Sequence, residues 1–185
     1  MIGFSESLPK FEAENINTVL DGMILLISTE TKKKRIEMVK HYETDLPPIQ
    51  IDREQMKQVF LNVLLNATEA TPENGNITVR TRSFVKPGGE RYLQIEFTDT
   101  GCGIATEYLE DIFTPFFTTK TKGSGLGLSI SSQIVQDHKG YIDVESRLKK
   151  GSSFFINLPM RQENPKRRKS DLEQSRDLSK YLEGR

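Results

Sequence analysis

Three segments hold the residues of this chain whose types and spacing could do chemistry. The first carries Asn62 and Asn66, one helical turn apart, with Glu69 just beyond them. The second is Asp99-Thr-Gly-Cys-Gly-Ile104, and the third is Gly123-Ser-Gly-Leu-Gly-Leu128. Each is weak evidence alone, because glycine clusters occur in many loops. Together they supply a metal ligand, a carboxylate and a cradle of backbone amides, which a magnesium-nucleotide complex needs.

The two asparagines of the first segment lie on one face of a predicted helix. Residues four apart are neighbours on a helix surface, so Asn62 and Asn66 share that face with Glu69 and Ala70. An asparagine carbonyl oxygen is a hard, neutral ligand that suits Mg²⁺ already bridged by phosphates. A solvent-exposed polar face is the alternative for any single asparagine, and Glu69 is either a group near the metal or a surface carboxylate.

The aspartate of the second segment follows a predicted strand and has two interpretations. Asp99 either begins a turn, or forms the floor of a pocket and accepts a hydrogen bond from the exocyclic amine of adenine. In the second case Gly101 and Gly103 let the backbone pass close to the base. Cys102 has no base or histidine beside it in the sequence, so we expect a small wall residue rather than a nucleophile. The segment alone leaves both interpretations of Asp99 open.

The glycines of the third segment run directly into a predicted helix. A glycine-rich backbone before a helix directs N–H groups and the positive end of the helix dipole at an anion. Lys120, just before the segment, could screen phosphate charge. The spacing is not a Walker motif, since no Gly-Lys-Ser/Thr ends the loop, and not a dinucleotide fingerprint, since no strand precedes it. A flexible linker is disfavoured by three apolar residues that we expect to anchor the segment in a core: Leu126, Leu128 and Ile130.

The elements that must position these segments follow from the periodicity of the apolar residues. Steps of three and four residues predict a first helix over 16–27, and the cations at 32–35 end it. Asp52 with Gln55 resembles a capping box and opens the asparagine-bearing helix, which Pro72 stops. The remaining elements are, in chain order, a strand at 36–41, a hairpin of strands around 77–79 and 93–97, a short helix at 107–112, a mobile loop at 114–124, a helix at 127–138 and a hairpin of strands at 141–146 and 153–158.

This order of elements predicts an α+β fold. We expect a two-layer sandwich with a mixed, mostly antiparallel sheet and helices on one of its faces. The predicted domain spans 15–160 and is preceded by a linker at 1–14. The charged segment at 161–185 is expected to be a disordered tail, or to form a short surface helix near 172–182.

Composition excludes several classes of protein. The 185 residues carry 26 basic and 26 acidic side chains, so no net field draws the chain to nucleic acid or to a membrane. The single cysteine, Cys102, excludes a disulfide framework and fits a reducing compartment. No apolar run spans a bilayer and no signal peptide is recognisable, so we expect a cytoplasmic location, with a membrane-anchored parent still compatible. His41 and His138 lack zinc spacing and are expected to be structural.

In this order, the segments resemble the ATP-binding catalytic domain of sensor histidine kinases. That superfamily is shared with type II topoisomerases, mismatch-repair ATPases and a heat-shock chaperone. Residues 62–70 resemble its N box, 99–104 its first glycine box, 112–120 its F box and 123–128 its second glycine box. The resemblance covers residues 35–159, and four boxes in the right order make it specific.

The F box supports a finer resemblance and a prediction of its own. The sequence Phe-Phe-Thr-Thr-Lys120 is similar to the nitrogen-regulation branch of these kinases. Its phenylalanines are expected either to belong to the core or to hinge a lid over the nucleotide, and they are Phe113, Phe116 and Phe117.

The resemblance implies the Bergerat ATP-binding fold, with ATP and Mg²⁺ as the bound groups. It places Asn66 on the metal, Asp99 on adenine, and a lid at about 114–124. The nucleotide-binding set that it implies is Asn66, Glu69, Ala70, Asp99, Gly101, Gly103, Ile104, Phe116, Thr119, Lys120, Gly123, Ser124, Gly125, Leu126, Gly127, Leu128 and Ser153.

The resemblance also assigns a catalytic meaning to Asn62. In the hydrolysing members, and in related serine kinases, a glutamate one turn before the metal-binding asparagine activates the attacking group. Here that position is Asn62, whose amide cannot take a proton at neutral pH. We therefore expect a phosphoryl donor site rather than an efficient ATPase.

The expected acceptor is a histidine on a helical hairpin upstream of the catalytic domain. No histidine precedes His41, so we expect this chain to start after that hairpin, and to bind nucleotide without autophosphorylating alone. The expected partners are the histidine-containing dimerisation domain of the parent kinase and a response regulator receiver domain. We expect no nucleic acid and no direct membrane contact, and a monomeric fragment. The alternatives are a superfamily ATPase that couples hydrolysis to conformational change, and a non-catalytic docking module.

Overall fold

The computed structural model of the chain describes residues 9–120 and 123–160. The predictions for residues 1–8 and for the tail at 161–185 lie outside these residues, as do positions 121 and 122 of the predicted loop. The elements are β1 Phe11–Glu14, α1 Ile16–Leu26, α2 Ser28–Lys33, β2 Glu37–Tyr42, β3 Ile49–Asp52, α3 Arg53–Ala70, β4 Asn76–Val85, β5 Arg91–Asp99, a 3-10 turn Thr106–Tyr108, α4 Gly127–Asp137, β6 Tyr141–Arg147 and β7 Gly151–Pro159. None of the helices among the described residues has the length and apolarity needed to cross a membrane.

Five of the strands form one mixed sheet in the order β2-β4-β5-β7-β6. β2 runs parallel to β4, and the other three neighbouring pairs are antiparallel. Strand alternation directs Leu93, Ile95 and Phe97 of β5 into the core, where each is almost fully buried. The core lies between this sheet face and the helices α1, α3 and α4. The predicted α+β sandwich is therefore confirmed.

The helix α3 is the central element of the core and carries the first chemical segment. Its apolar residues recur at helical spacing and are buried as one stripe, and the ring of Phe60 lies 5.9 Å from the ring of Phe97 on β5. Burying one such large side chain stabilises the fold by about 1.5–3 kcal/mol. Because the stripe fixes the rotation of α3, the opposite face is held toward the cavity described below.

Two short strands near the start of the chain were not predicted. β1 lies within the segment predicted to be a linker, and it pairs antiparallel with β3, which follows the proline pair at 47–48. Each has only four residues, too few for alternation to be recognised in the sequence. Their strand conformation comes from the pairing itself, with Phe11 opposite Asp52 and Glu14 opposite Ile49.

The first predicted helix is two helices. Ile27 ends α1 and precedes α2, with a ψ angle near 1° that breaks the helical path. Its side chain is 2% exposed, so the break lets the chain turn while keeping this apolar residue in the core. His41, which we expected to be structural, lies on the edge strand β2 and is exposed.

The start of α3 is capped differently from the predicted capping box. The Asp52 carboxylate accepts a hydrogen bond from the Gln55 N–H at 3.0 Å, as predicted. The reciprocal bond is absent, because the Asp52 N–H donates to Nε2 of His138 at 3.0 Å instead. Among the described residues, Gln55 Oε1 is the buried side-chain polar atom that lacks a hydrogen-bond partner. His138, in the C-terminal cap of α4, thus takes the acceptor role that a capping box gives to Gln55.

Candidate functional site

A cavity of about 700 Å³ lies between α3, the loop after β5, the segment before position 120 and the start of α4. This volume falls within the range of small-molecule and cofactor sites. It brings together residues of all three chemical segments. The sequence-predicted residues that line it are Asn62, Asn66, Glu69, Ala70, Asp99, Gly103, Ile104, Thr119, Lys120, Gly123, Ser124, Gly125, Gly127 and Leu128.

Four residues of the predicted set do not line the cavity. Gly101 is buried behind it, and Leu126 is half-buried at the N-cap of α4. Phe116 sits in a turn with a φ of +68° and its side chain is 74% exposed, whereas the neighbouring Phe117 lines the cavity. The fourth, Ser153, belongs to β7.

The position of Ser153 follows from strand alternation. On β7, Ser152 pairs with Asp99 in register and lines the cavity, so the next residue faces the other side of the sheet. There the Ser153 hydroxyl lies 2.7 Å from the Thr98 hydroxyl. The serine that lines the cavity beside Asp99 is therefore Ser152, whereas the resemblance implied Ser153.

Asp99 forms the buried floor of the cavity. Asp99 is only 4% exposed, and its Oδ1 accepts a hydrogen bond from the Gly101 N–H at 2.8 Å. Burial raises the pKa of the Asp99 carboxyl above its usual range, while hydrogen bonds from the backbone of Gly101 and Ser152 act in the opposite direction. The structure therefore shows both the turn and the position at the cavity floor, since one carboxylate oxygen closes the turn at the bottom of the cavity. The bond from Asp99 to adenine stays a prediction.

The loop after Asp99 is held against the C-terminal end of α3. The Cys102 N–H donates to the Ala70 carbonyl at 3.2 Å. A Cβ on Gly101 would lie 2.7 Å from the same carbonyl oxygen, so only glycine allows this approach. Cys102 lines the cavity as a wall residue, as predicted. The contact fixes the first glycine segment relative to the asparagine-bearing helix.

The ammonium of Lys34 caps the same end of α3. Its Nζ donates to the carbonyls of Thr68, Glu69 and Thr71 at 2.7, 3.1 and 2.7 Å. The last carbonyls of a helix lack partners within the helix, and a cation also interacts favourably with the helix dipole at this end. Lys34 therefore positions the turn that carries Glu69 and Ala70. It stands 28 residues before Asn62 in the sequence, and no local pattern reveals this role.

The apolar part of the lining was largely missed by sequence reasoning. Apolar side chains from α3, the segment after β5, the turn between β6 and β7, and β7 itself line the cavity. The rings of Tyr108 and Phe117 lie 5.6 Å apart. Only long-range packing brings these positions together, so no sequence motif marks them. The lining residues outside the predicted set are Leu65, Ala67, Ala105, Tyr108, Ile112, Phe117, Thr118, Leu148, Ser152 and Phe154, together with Cys102, which was predicted only as a wall residue.

The other end of the cavity is formed by the start of α4. Within residues 9–120 and 123–160, no side chain caps the N-terminus of this helix, so its first N–H groups are available to a ligand. The expectation that three apolar residues anchor this segment is only partly met. Leu128 packs against the core, whereas Leu126 is half-buried and Ile130 is 38% exposed because it lies on the outer face of α4.

Asn62 connects α3 to α4. Its Nδ2 donates to the Gly127 carbonyl at 3.1 Å and to the Ser131 hydroxyl at 3.2 Å. The Ser131 hydroxyl in turn donates to the Gly127 carbonyl at 2.9 Å. Asn62 thus holds the start of α4 at the cavity, and its catalytic role stays a prediction.

Asn66 and Glu69 offer oxygen atoms at the rim of the cavity. Lys120 Nζ donates to Asn66 Oδ1 at 2.9 Å and forms an ion pair with the Glu69 carboxylate. A cation is therefore already accommodated between these two oxygens. In residues 9–120 and 123–160, this site included, no cluster of three His, Cys, Asp or Glu side chains could hold a metal ion. A metal here would complete its coordination with ligand oxygens and water, as Mg²⁺ does when phosphates bridge it.

Comparison with known proteins agrees with this geometry. Residues 51–162 match the family model described as histidine kinase-, DNA gyrase B-, and HSP90-like ATPase. The chain belongs to this family. The matched residues include every element from α3 to β7 and all three chemical segments.

Sensor histidine kinases are similar to this chain in sequence. Sporulation kinase E of Bacillus subtilis (strain 168) is 35% identical over 161 residues, which cover 87% of this chain and 21% of that protein. The sensor histidine kinase ZraS of Escherichia coli (strain K12) is 40% identical over 80% of this chain and 31% of its own length. The sensory histidine kinase/phosphatase NtrB of Azospirillum brasilense is 34% identical over 85% of this chain and 42% of its own length. The chain thus spans less than half of these relatives, and the nitrogen-regulation assignment stays a prediction.

Solved structures of histidine kinases share the fold. The nucleotide-free catalytic domain of ThkA has a TM-score of 0.72 at 34% identity, over 81% of this chain and 95% of that one. ThkA in complex with the response regulator TrrA has a TM-score of 0.69 at 31% identity, over 82% of this chain and 42% of that one. Full-length ShkA in complex with AMPPNP has a TM-score of 0.70 at 27% identity, over 89% of this chain and 33% of that one. This member of the family is a catalytic domain of the histidine kinase type.

Proposed function

We propose that this chain binds ATP with Mg²⁺ and donates the γ-phosphoryl group to a histidine on a separate domain of a parent kinase. A response regulator receiver domain would then take the phosphoryl group from that histidine. The observation that carries the proposal is the convergence of Asp99, Asn66 and the N-terminus of α4 on one cavity. These three features supply a base-recognising carboxylate, a metal ligand and an anion site.

The Asp99 end of the cavity suits adenine. A buried carboxylate with one oxygen held by the Gly101 N–H is fixed in orientation, and it accepts a hydrogen bond from the exocyclic amine. Ile104, Ile112 and Phe154 supply apolar walls around it. A flat, largely apolar base with one amine donor matches this combination.

The α4 end of the cavity suits the phosphates. Among the residues that the structure describes, no side chain caps the start of α4, and Gly123, Gly125 and Gly127 line the cavity there. A helix N-terminus of this kind favours negative charge, because its amides and its dipole both point at the anion. Asn66 and Glu69 lie between the two ends, and their oxygens would hold Mg²⁺. The ion, when bound, offsets phosphate charge during transfer.

Asn62 supports donation rather than hydrolysis. A water nucleophile needs a general base within hydrogen-bond reach, and an amide cannot serve as one at neutral pH. The Asn62 Nδ2 is moreover committed to Gly127 and Ser131. The acceptor histidine of the separate domain would instead supply the attacking nitrogen itself.

The partners follow from the same proposal. A donor site requires an acceptor, and we infer the histidine-containing dimerisation domain of the parent kinase. ThkA has been solved with the response regulator TrrA, which supports a receiver domain as the second partner. We infer that the chain itself is monomeric and acts in the cytoplasm, where a lone cysteine stays reduced and ATP is supplied.

The test uses labelled ATP and Mg²⁺, with and without a protein that carries a histidine-bearing dimerisation hairpin. We expect acid-labile phosphate on the partner only when the chain, ATP and Mg²⁺ are all present, and none with the Asp99→Asn variant. Steady release of inorganic phosphate without the partner would instead favour an ATPase. Failure to bind ADP or ATP in calorimetry would favour a non-catalytic docking module.

A further inference from the structure

Lys120 places its own positive charge at the oxygens assigned above to a metal. Its Nζ lies 2.9 Å from Asn66 Oδ1 and also pairs with the Glu69 carboxylate. Asn66 and Glu69 are three residues apart on α3, so their side chains lie on the same face of the helix. Lys120 reaches them from a separate segment 51 residues beyond Glu69. The contact is therefore a tertiary one between α3 and the segment that ends at Lys120.

The local backbone presents Lys120 to α3. The Lys120 N–H donates to the Thr118 hydroxyl at 3.0 Å, which folds residues 118–120 into a tight turn. Thr118, Thr119 and Lys120 all line the cavity. Loss of the ammonium contact would free this turn from α3, since the ammonium is the group of Lys120 that contacts Asn66 and Glu69.

An ammonium and a divalent cation cannot occupy the same oxygen pair together. Both seek carbonyl and carboxylate oxygens, and two positive charges at one site repel each other. The lysine ammonium is a compact point charge on a flexible stem, so it can withdraw without disturbing α3. Its pair with Glu69 is half-exposed, with side-chain exposures of 44% and 60%, so it is weak enough to be displaced.

We propose that Lys120 is an internal cation of the Asn66–Glu69 oxygen pair, and that a divalent metal ion competes with it for these oxygens. Metal binding then releases the turn at 118–120 from α3, whereas the metal-free site keeps the turn docked. This inference rests on the proposed function for the identity of the metal site, but it makes its own prediction about metal binding without nucleotide. The direction of the change in metal affinity distinguishes competition from assistance. Removing a competing lysine strengthens metal binding, whereas removing a lysine that assists the metal would weaken it.

The test titrates Mn²⁺ alone into the wild-type chain and into Lys120→Met, and follows free Mn²⁺ by electron paramagnetic resonance. We expect Lys120→Met to bind Mn²⁺ about two- to fivefold more tightly, the size expected when a half-exposed ion pair no longer competes. Lys120→Arg keeps the cation and is expected to bind Mn²⁺ as the wild type does. Lys57→Met is the matched control, since Lys57 forms a similar ion pair with Glu54 at the far end of α3.

Hydrogen exchange supplies a second measurement on the same proteins. We expect Mn²⁺ to speed amide exchange at residues 118–120 in the wild type, and to leave it unchanged in Lys120→Met, where exchange is already fast. Mn²⁺ binding by Lys120→Met that is equal to or weaker than that of the wild type would overturn the proposal, as would unchanged exchange in the wild type. Failure to bind ADP, measured separately by calorimetry, would count against the proposed function and not against the competition.

Discussion

The backbone of Gly125 lies directly against the backbone of Phe116. Both residues have a φ of +68°, and the Phe116 N–H donates to the Gly125 carbonyl at 2.9 Å. The turn at Phe116 and the glycine segment before α4 are therefore one structural unit, although eight residues separate them. A change at either residue moves the backbone that lines the cavity next to the start of α4.

Replacing Gly125 by alanine is expected to disturb this unit. The new Cβ would lie 2.7 Å from the Phe116 Cα, and alanine also disfavours a positive φ, so we expect a loss of about 1–3 kcal/mol in unfolding free energy. ATP affinity should fall as well, and urea denaturation and calorimetry measure the two effects. Gly22→Ala in α1 is the control, since nothing lies within 4 Å of its Cβ position. There we expect a gain of about 0.5–1 kcal/mol.

Asp99→Asn should weaken ATP binding without lowering the stability of the fold. Because burial raises the pKa of Asp99, keeping its carboxylate ionised costs stability as the pH rises through that pKa. Asparagine removes this cost and can still accept the hydrogen bond from Gly101, so unfolding free energy at neutral pH should be equal or higher. ATP affinity should fall by about 1.5–3 kcal/mol, or roughly 10- to 100-fold, because a hydrogen bond to a charged group is lost. Unchanged ATP affinity in calorimetry would refute the adenine assignment.

Lys34→Met should destabilise the end of α3. The variant keeps an apolar side chain of similar length but leaves three carbonyls without their donor. We expect unfolding free energy to fall by about 1–2 kcal/mol, because water replaces part of what is lost. Urea denaturation measures the change. Lys33→Met removes only an exposed pair with Glu30, so a loss of the same size there would show that charge alone is responsible.

His138 should make stability depend on pH. Burial lowers its pKa from the ordinary 6.5, so the unfolded chain takes up a proton at a higher pH than the folded chain. The stabilising effect is complete above about pH 6.5 and declines as the pH falls toward the folded-state pKa, by at most about 1.4 kcal/mol per pH unit. Denaturation midpoints between pH 5 and 8 should show this slope, and His138→Gln should flatten it.

The sequence predicts the parts of the fold that rest on local patterns. The apolar stripe of α3 and the alternation of β5 are long enough to be read from period alone, and both lie where predicted. The ribbon of β1 and β3 could not be predicted, because neither strand has a pattern without its partner. The same reasoning explains Asp52, whose N–H bonds to His138, 86 residues away, rather than to the nearby Gln55.

The candidate site divides in the same way. Asp99, Asn66 and the glycines carry their chemistry in their residue types, so the sequence alone places them at one site. Ser153 shows the limit, because a shift of one residue along a strand reverses the face, and only the pairing of Asp99 with Ser152 reveals which serine faces the cavity. The role of Lys34 could not be predicted either, since its contacts with three carbonyls are formed only in the folded chain.

The two asparagines of α3 should respond differently to substitution. Asn62→Asp cannot donate to the Gly127 carbonyl and places a carboxylate beside it, so unfolding free energy should fall by about 1–3 kcal/mol, with weaker ATP binding as α4 shifts. Asn66→Ala loses only contacts at the exposed rim, so stability should change little while the Mg²⁺ dependence of ATP binding is altered. Urea denaturation and calorimetry with and without Mg²⁺ measure both effects. Equal destabilisation by the two variants would contradict the structural role of Asn62, and an unaltered Mg²⁺ requirement in Asn66→Ala would contradict its role as a ligand.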